Sequence, residues 1–246
     1  MMKTQHTNTR RQVSLVMAII LFFGVTAPAQ QERQLAQAMQ QNARELRQYS
    51  WKSRTEVRKD TELKSFQLYL MHYSADGMLQ QSLIDEMTPK IPTHGLRGLI
   101  AKKKKEDFLK TLEGLKAVAK SYGDLSPEKM KEFITNANIN IEPNPQPGRI
   151  RILGRNVLQP GDSVTIWVDA VARRQRRMEI HTTFDKEIVR IVTDFQDIPG
   201  GPTYMSRSVI DYQSEGISLV KENFDYHRNQ FAPGVTAGVE LKGMSQ

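Results

Sequence analysis

Tyr49-Ser50-Trp51-Lys52-Ser53-Arg54-Thr55-Glu56-Val57 alternates between two sets of side chains. Tyr49, Trp51, Ser53, Thr55 and Val57 fall on one face of an extended chain, and Ser50, Lys52, Arg54 and Glu56 on the other, the signature of a half-buried strand. Lys59-Asp60-Thr61 then reverses the chain into a second strand, Leu63 to Tyr73. Asp76-Gly77 marks a hairpin, because a primed turn needs φ > 0 and glycine supplies it without steric cost. A third strand, Met78 to Asp85, completes an antiparallel set.

Upstream, Glu32 to Gln48 has helical spacing, with Leu35, Met39, Ala43 and Leu46 on one stripe. Downstream, 88–98 is a loop punctuated by proline and glycine. A second helix follows, in which Phe108, Leu112, Leu115, Ala119 and Tyr122 share a face and Gly123 stands at the C′ position. Ser126-Pro127-Glu128 supplies an N-cap, a proline at N1 and an acid in the first turn, opening a short helix to about Ile134. Asn136 to Gly148, with its prolines and asparagines, reads as a connector. Six further strands are expected at Arg149–Val157, Ser163–Asp169, Gln175–Phe184, Glu187–Asp197, Thr203–Tyr212 and Ile217–Tyr226, joined by turns short enough to impose antiparallel neighbours. The class is therefore α+β, with one large curved antiparallel sheet of about nine strands and helices grouped in two places. A single domain over 30–227 and a poorly ordered tail over 228–246 are expected.

The chain has 246 residues, no cysteine and a formal net charge of +8. Lys3, Arg10 and Arg11, the apolar run Val13 to Val25, and Ala27-Pro28-Ala29 read as an export signal over 1–29, with cleavage after Ala29. A retained anchor is the alternative, but this run of about 13 residues falls short of the roughly 20 that a spanning helix needs. Arg10-Arg11 also leaves twin-arginine export open beside general secretion. Removing the leader takes three basic residues and no acidic one, leaving +5. The absence of cysteine excludes a disulfide scaffold, a thiolate nucleophile, a Cys-ligated metal and a lipidated cysteine. The expected location is the periplasm, with secretion as second choice.

The export signal, the helix leading into Tyr49–Val57, the helical insertion and the later Asn156-Val157-Leu158-Gln159-Pro160-Gly161-Asp162-Ser163-Val164 together resemble the LolA-like superfamily of outer-membrane lipoprotein-sorting carriers. The resemblance spans most of 32–227. It implies a periplasmic half-barrel closed by a helical lid inserted after strand three, whose concave apolar face holds an acyl chain, a lipid or a lipoprotein. It brings no individual functional residue with it.

Candidate cavity or lid residues are Trp51, Phe66, Phe108, Leu112, Leu115, Trp167, Phe184 and Phe195, since acyl pockets are mostly apolar. Sequence alone does not assign them to faces, because one residue of register error inverts every assignment. Lys102-Lys103-Lys104-Lys105 and Arg173-Arg174-Gln175-Arg176-Arg177 are candidates for contact with anionic lipid or an acidic envelope protein, set against a solvated basic face with no partner. Nucleic acid is not expected, because the chain is exported and neither cluster is interleaved with aromatics. Gly161-Asp162-Ser163-Val164 resembles the start of a serine-esterase block, but between Pro160 and a strand it reads as a hairpin corner. No metal or cofactor is expected, since His72, His94, His181 and His227 show no ligand spacing. Two functions remain: a non-enzymatic carrier with an open cavity, and a structural or regulatory envelope protein with a filled core. The space between sheet and helices distinguishes them.

Overall fold

A computed structural model describes residues 41–88, 95–123, 125, 127–141, 149–169, 171–172 and 174–229. The expected leader, its cleavage site, most of the first helix, His94, Arg173 and the tail beyond 229 lie outside these residues. Residues 41–46 are helical, the described part of α1. The strands β1 (Tyr49–Lys59), β2 (Glu62–Tyr73) and β3 (Leu79–Met87) follow, then α2 (Gly95–Gly123) and α3 (Pro127–Asn136). The chain continues through β4 (Asn138–Ile141), β5 (Arg149–Arg155), β6 (Ser163–Asp169), β7 (Arg174–Phe184), β8 (Glu187–Asp197), β9 (Thr203–Tyr212) and β10 (Ile217–Arg228).

All ten strands form one open, curved antiparallel sheet in the order β3-β2-β1-β10-β9-β8-β7-β6-β5-β4, the α+β half-barrel expected. Three expectations needed correction. The connector over 136–148 contains β4, whose Asn-Ile-Asn-Ile alternation pairs with β5. The loop over 88–98 ends sooner, because α2 begins at Gly95 and takes Gly98 into its first turn. β10 also runs two residues past Tyr226, and the Asn229 N–H donates to the Gln48 carbonyl at 2.6 Å.

β3 and β4 are consecutive strands at opposite edges of the sheet. The chain between them, α2 and α3, must therefore cross the sheet. The strand order requires the crossing, and the apolar stripe of α2 selects the inner face, where its residues are buried. Leu112 and Leu115 of α2, 6% and 0% exposed, enter a core of Ile150, Ile152, Val164, Ile166, Ile180, Val189, Ile210 and Leu219. Phe108 packs partly buried against the same cluster. The ring of Phe184 lies over Gly114 so closely that a Cβ there would run into it, and it meets Tyr212 edge-on with centroids 5.9 Å apart.

The C-terminal turn of α2 is tied down by a buried polar cluster. Tyr122 Oη donates to Asp162 Oδ2 at 2.6 Å and lies 2.8 Å from Thr182 Oγ1. Asp162, 2% exposed, also accepts the N–H groups of Val157, Leu158 and Gln159 at 2.6, 2.9 and 3.0 Å. The Gly161-Asp162-Ser163 segment is thus a turn, with Asn156 and Gly161 in the left-handed region and Asp162 satisfying its backbone.

Candidate functional site

Directly opposed residues of antiparallel strands share a face, so the pairings locate each side chain. Val57, Leu219, Ile210, Ile191, Ile180 and Val164 form one continuous row across the inner face, beneath α2. Toward the other end of the strands this packing stops. A cavity of about 340 Å³ opens there between the sheet, α1 and the last turns of α2. Ala43, Leu46 and Arg47 from the α1 end and Ala119, Tyr122 and Gly123 from α2 form one wall; Trp51, Met71, Phe195, Met205 and Tyr226 form another. One half of the interior is filled and the other is open.

Two register slips shape the open half. Between Ser50↔His227 and Lys52↔Phe224, β10 carries one extra residue, with Asp225 at φ +59°. Strict alternation from Ile217, Leu219, Lys221 and Asn223 would send Tyr226 to the outer face; the bulge brings it inward. Its ring stacks on Trp51, with centroids 5.5 Å apart and planes 7° from parallel. A second slip, in β9 between Asp194↔Arg207 and Phe195↔Met205, turns Met205 inward. Pairing of β9 with β10 ends at Arg207↔Glu222, and Tyr204 occupies the gap beyond it, 4.2 Å from Tyr226 between centroids. Tyr73 completes the aromatic end, 5.8 Å from Trp51. Burial raises the pKa values of Tyr73, Tyr204 and Tyr226 above the ordinary phenol value, so the three hydroxyls stay uncharged well above neutral pH. Asn42 holds α1 against the sheet: its amide donates to the Thr203 carbonyl at 2.9 Å and accepts the Thr203 N–H at 2.8 Å.

Of the predicted apolar residues, the structure brings Trp51 and Phe195 into the cavity wall. Phe108, Leu112, Leu115 and Phe184 lie on the same face but belong to the filled half. Phe66 and Trp167 project from the outer face, away from the cavity. Phe66 is opposite Glu56 and carries the Arg54 guanidinium 4.9 Å from its ring centroid, and Trp167 lies opposite Arg177, whose guanidinium is 6.0 Å away.

The basic candidates also separate. Arg174, Arg176 and Arg177 do not form a free patch: Arg174 pairs with Asp197 at 3.0 Å, Arg176 with Asp197 at 2.8 Å, and Arg177 with Asp194 at 3.1 Å. Arg177 begins an outer-face ladder of alternating charge, Arg177, Asp194, Arg207, Glu222, Arg54, one residue per strand. Lys103, Lys104 and Lys105 are exposed on α2, and Lys102 is helical. The sheet places His181 opposite Ser163, a neighbour that the sequence did not reveal, but no hydrogen bond joins them, and His181 Nε2 lies 2.9 Å from Glu179. Among the described residues there is no cluster of three metal-ligating side chains and no helix long and apolar enough to cross a membrane.

Sequence reasoning missed Lys221, Asn223, Ser208 and Tyr226 in the cavity. A signal for two of them was present: Ile217, Leu219, Lys221 and Asn223 share one parity, so a lysine and an asparagine continue an apolar face. Lys221 is exposed, but to the cavity that it lines. Protein surrounds it closely enough that desolvation, with a contribution from Lys116, pushes its ammonium pKa down.

No family model matches this chain, and no curated protein matches it. Among solved structures it is similar to a LolA superfamily protein from Nitrosomonas europaea, with 14% identity, 78% of this chain and 92% of that one covered, and a TM-score of 0.31. It is also similar to a DUF1329 family protein from Desulfovibrio piger, 10% identical, with 82% of this chain and 94% of that one covered and a TM-score of 0.34. The functional reading therefore rests on the cavity's own geometry.

Proposed function

We propose that the protein is a non-enzymatic carrier or binding protein of the bacterial periplasm that holds one acyl chain or lipid-like molecule between its sheet and helices. The single observation that carries this reading is the half-filled interior. α2 plugs one end with Leu112 and Leu115, while the other end keeps a cavity of about 340 Å³ walled by Trp51, Met71, Phe195 and Tyr226. Its size lies within the roughly 300–1,000 Å³ of ligand sites. Moving a chain into such a wall contributes about 0.8 kcal/mol per CH₂, enough to hold a single tail with no covalent chemistry. The periplasmic setting is supported by the leader read at 1–29. A structural protein docking a partner through its basic clusters has less support, because Arg174, Arg176 and Arg177 are already paired within the sheet.

Native mass spectrometry of freshly purified protein, before and after organic extraction, tests the proposal. A bound species that extraction removes, and that returns on incubation with lipid, is expected. Protein that never carries or takes up such a molecule would overturn it.

A further inference from the structure

The cavity floor carries a charge that holding an acyl chain does not require. Gln67 pairs with Thr55, Thr55 with Lys221, Lys221 with Ser208, and Ser208 with Thr193, so a polar belt crosses the inner face over five adjacent strands. On one side of the belt lies the apolar row of Val57, Leu219, Ile210 and Ile191; on the other stand Trp51, Tyr226 and Phe195. Thr193 Oγ1 and Ser208 Oγ satisfy each other at 3.0 Å. Among the described residues Lys221 has no carboxylate partner.

The acids of the neighbouring strands are not available to it. Glu222, Glu56 and Asp194 project from the outer face, where Arg207, Arg54 with Arg58, and Arg177 hold them. Among the described residues, the charged ones that line the cavity are Arg47 and Lys221, both cationic, and α2 adds Lys116 nearby. Asn223, 8% exposed, also lines the cavity and leaves its Oδ1 without a partner. A lysine held among apolar walls with a second cation close by is disfavoured until a counter-charge arrives. Among the described residues, the pairs nearest to Lys221 across the sheet, Arg54–Glu56, Arg207–Glu222 and Arg177–Asp194, lie outside, and Lys221 stands inside without a carboxylate.

We propose that Lys221 is the anion-binding subsite of the cavity, which takes a single-chain amphiphile with a carboxylate or phosphate head on the polar belt and its chain against Trp51, Tyr226 and Phe195. This inference rests on the carrier reading and narrows it to anionic amphiphiles.

The test uses the delipidated mature chain and three probes of equal chain length, laurate, dodecyl phosphate and dodecanol, each displacing the fluorophore N-phenyl-1-naphthylamine at neutral pH. Wild type should bind at least one anionic probe roughly ten- to a hundredfold more tightly than dodecanol, the range of a charge-assisted hydrogen bond. The preferred anion identifies the source as a fatty acid or a phosphate headgroup. Lys221→Met should lose the preference and keep dodecanol binding, which also shows that the variant folds; Lys221→Arg should keep the preference. Equal binding of all three probes by wild type, or a preference that survives in Lys221→Met, overturns the anion subsite and leaves the carrier standing. Binding of none of them overturns both.

Discussion

Asp162→Ala is the most informative perturbation of the fold around the cavity, because four hydrogen bonds end on one carboxylate. Two of the donors, Tyr122 Oη and the Val157 N–H, belong to buried residues; the other two, at Leu158 and Gln159, are partly accessible and can take water instead. A buried donor left without its acceptor costs about 1–3 kcal/mol, and Tyr122 keeps a second partner in Thr182, so the loss should come to about 2–5 kcal/mol. With a urea m-value of about 2 kcal/mol/M, the denaturation midpoint falls by about 1–2.5 M while m stays constant. Tyr122→Phe leaves Asp162 its three backbone donors and should cost only about 1 kcal/mol. The pH dependence has a definite sign. Desolvation pushes the Asp162 carboxyl up, but the hydrogen bonds from Tyr122 and the three N–H groups outweigh it, and the net shift is below the ordinary carboxylate value. Its stabilisation is therefore present above the unfolded-state pKa of about 3.9 and is lost as pH falls through the lower folded value. The gap between wild type and Asp162→Asn should accordingly narrow in acid. An unchanged midpoint in Asp162→Ala, or a gap that widens on acidification, would refute the clamp.

Other expectations follow from the division of the interior. Leu115→Ala, at a fully buried position in the filled half, should cost about 2–5 kcal/mol in urea denaturation, yet leave dodecanol affinity unchanged at temperatures where the variant is folded. Gly114→Ala drives a Cβ into the Phe184 ring and should destabilise by about 1–3 kcal/mol; a neutral midpoint would mean that α2 does not lie against β7 as described. Phe66→Ala and Trp167→Ala remove outer-face rings, so probe displacement should match wild type for both, whereas Phe195→Ala should weaken it. Lys221→Met should raise the urea midpoint at neutral pH, because folding lowers the ammonium pKa and so disfavours the charged form. By the same sign, wild-type stability should gain from Lys221 as pH rises through the folded pKa toward the unfolded one; a lowered midpoint in the variant contradicts this.

The placement of the predicted aromatics shows where sequence reasoning stops. Trp51 and Phe66 both sit in strands with clear alternation, yet one lines the cavity and the other lies under Arg54 on the outside. The pairing of Glu56 with Phe66 decides that, and Glu56 already stood on the polar side of the opening stretch. Tyr226 is a harder case. Its parity with Glu222 and Phe224 points outward, and the extra residue at Asp225 reverses it; no local preference announces that bulge.

The amino-acid sequence alone determined nine of the ten strands, the apolar stripe of α2 and the turn at Gly161-Asp162, because each is written in spacing or in backbone chemistry over a few residues. Only the tertiary structure decided that β1 pairs with β10 from the far end of the chain, so that β3 and β4 become opposite edges and the helices between them must cross the sheet. It alone decided that packing stops halfway along the strands and leaves Lys221 facing an open cavity. The physical reason is that a strand reports its own two faces, but not its partner or its register, and a single slipped residue exchanges those faces.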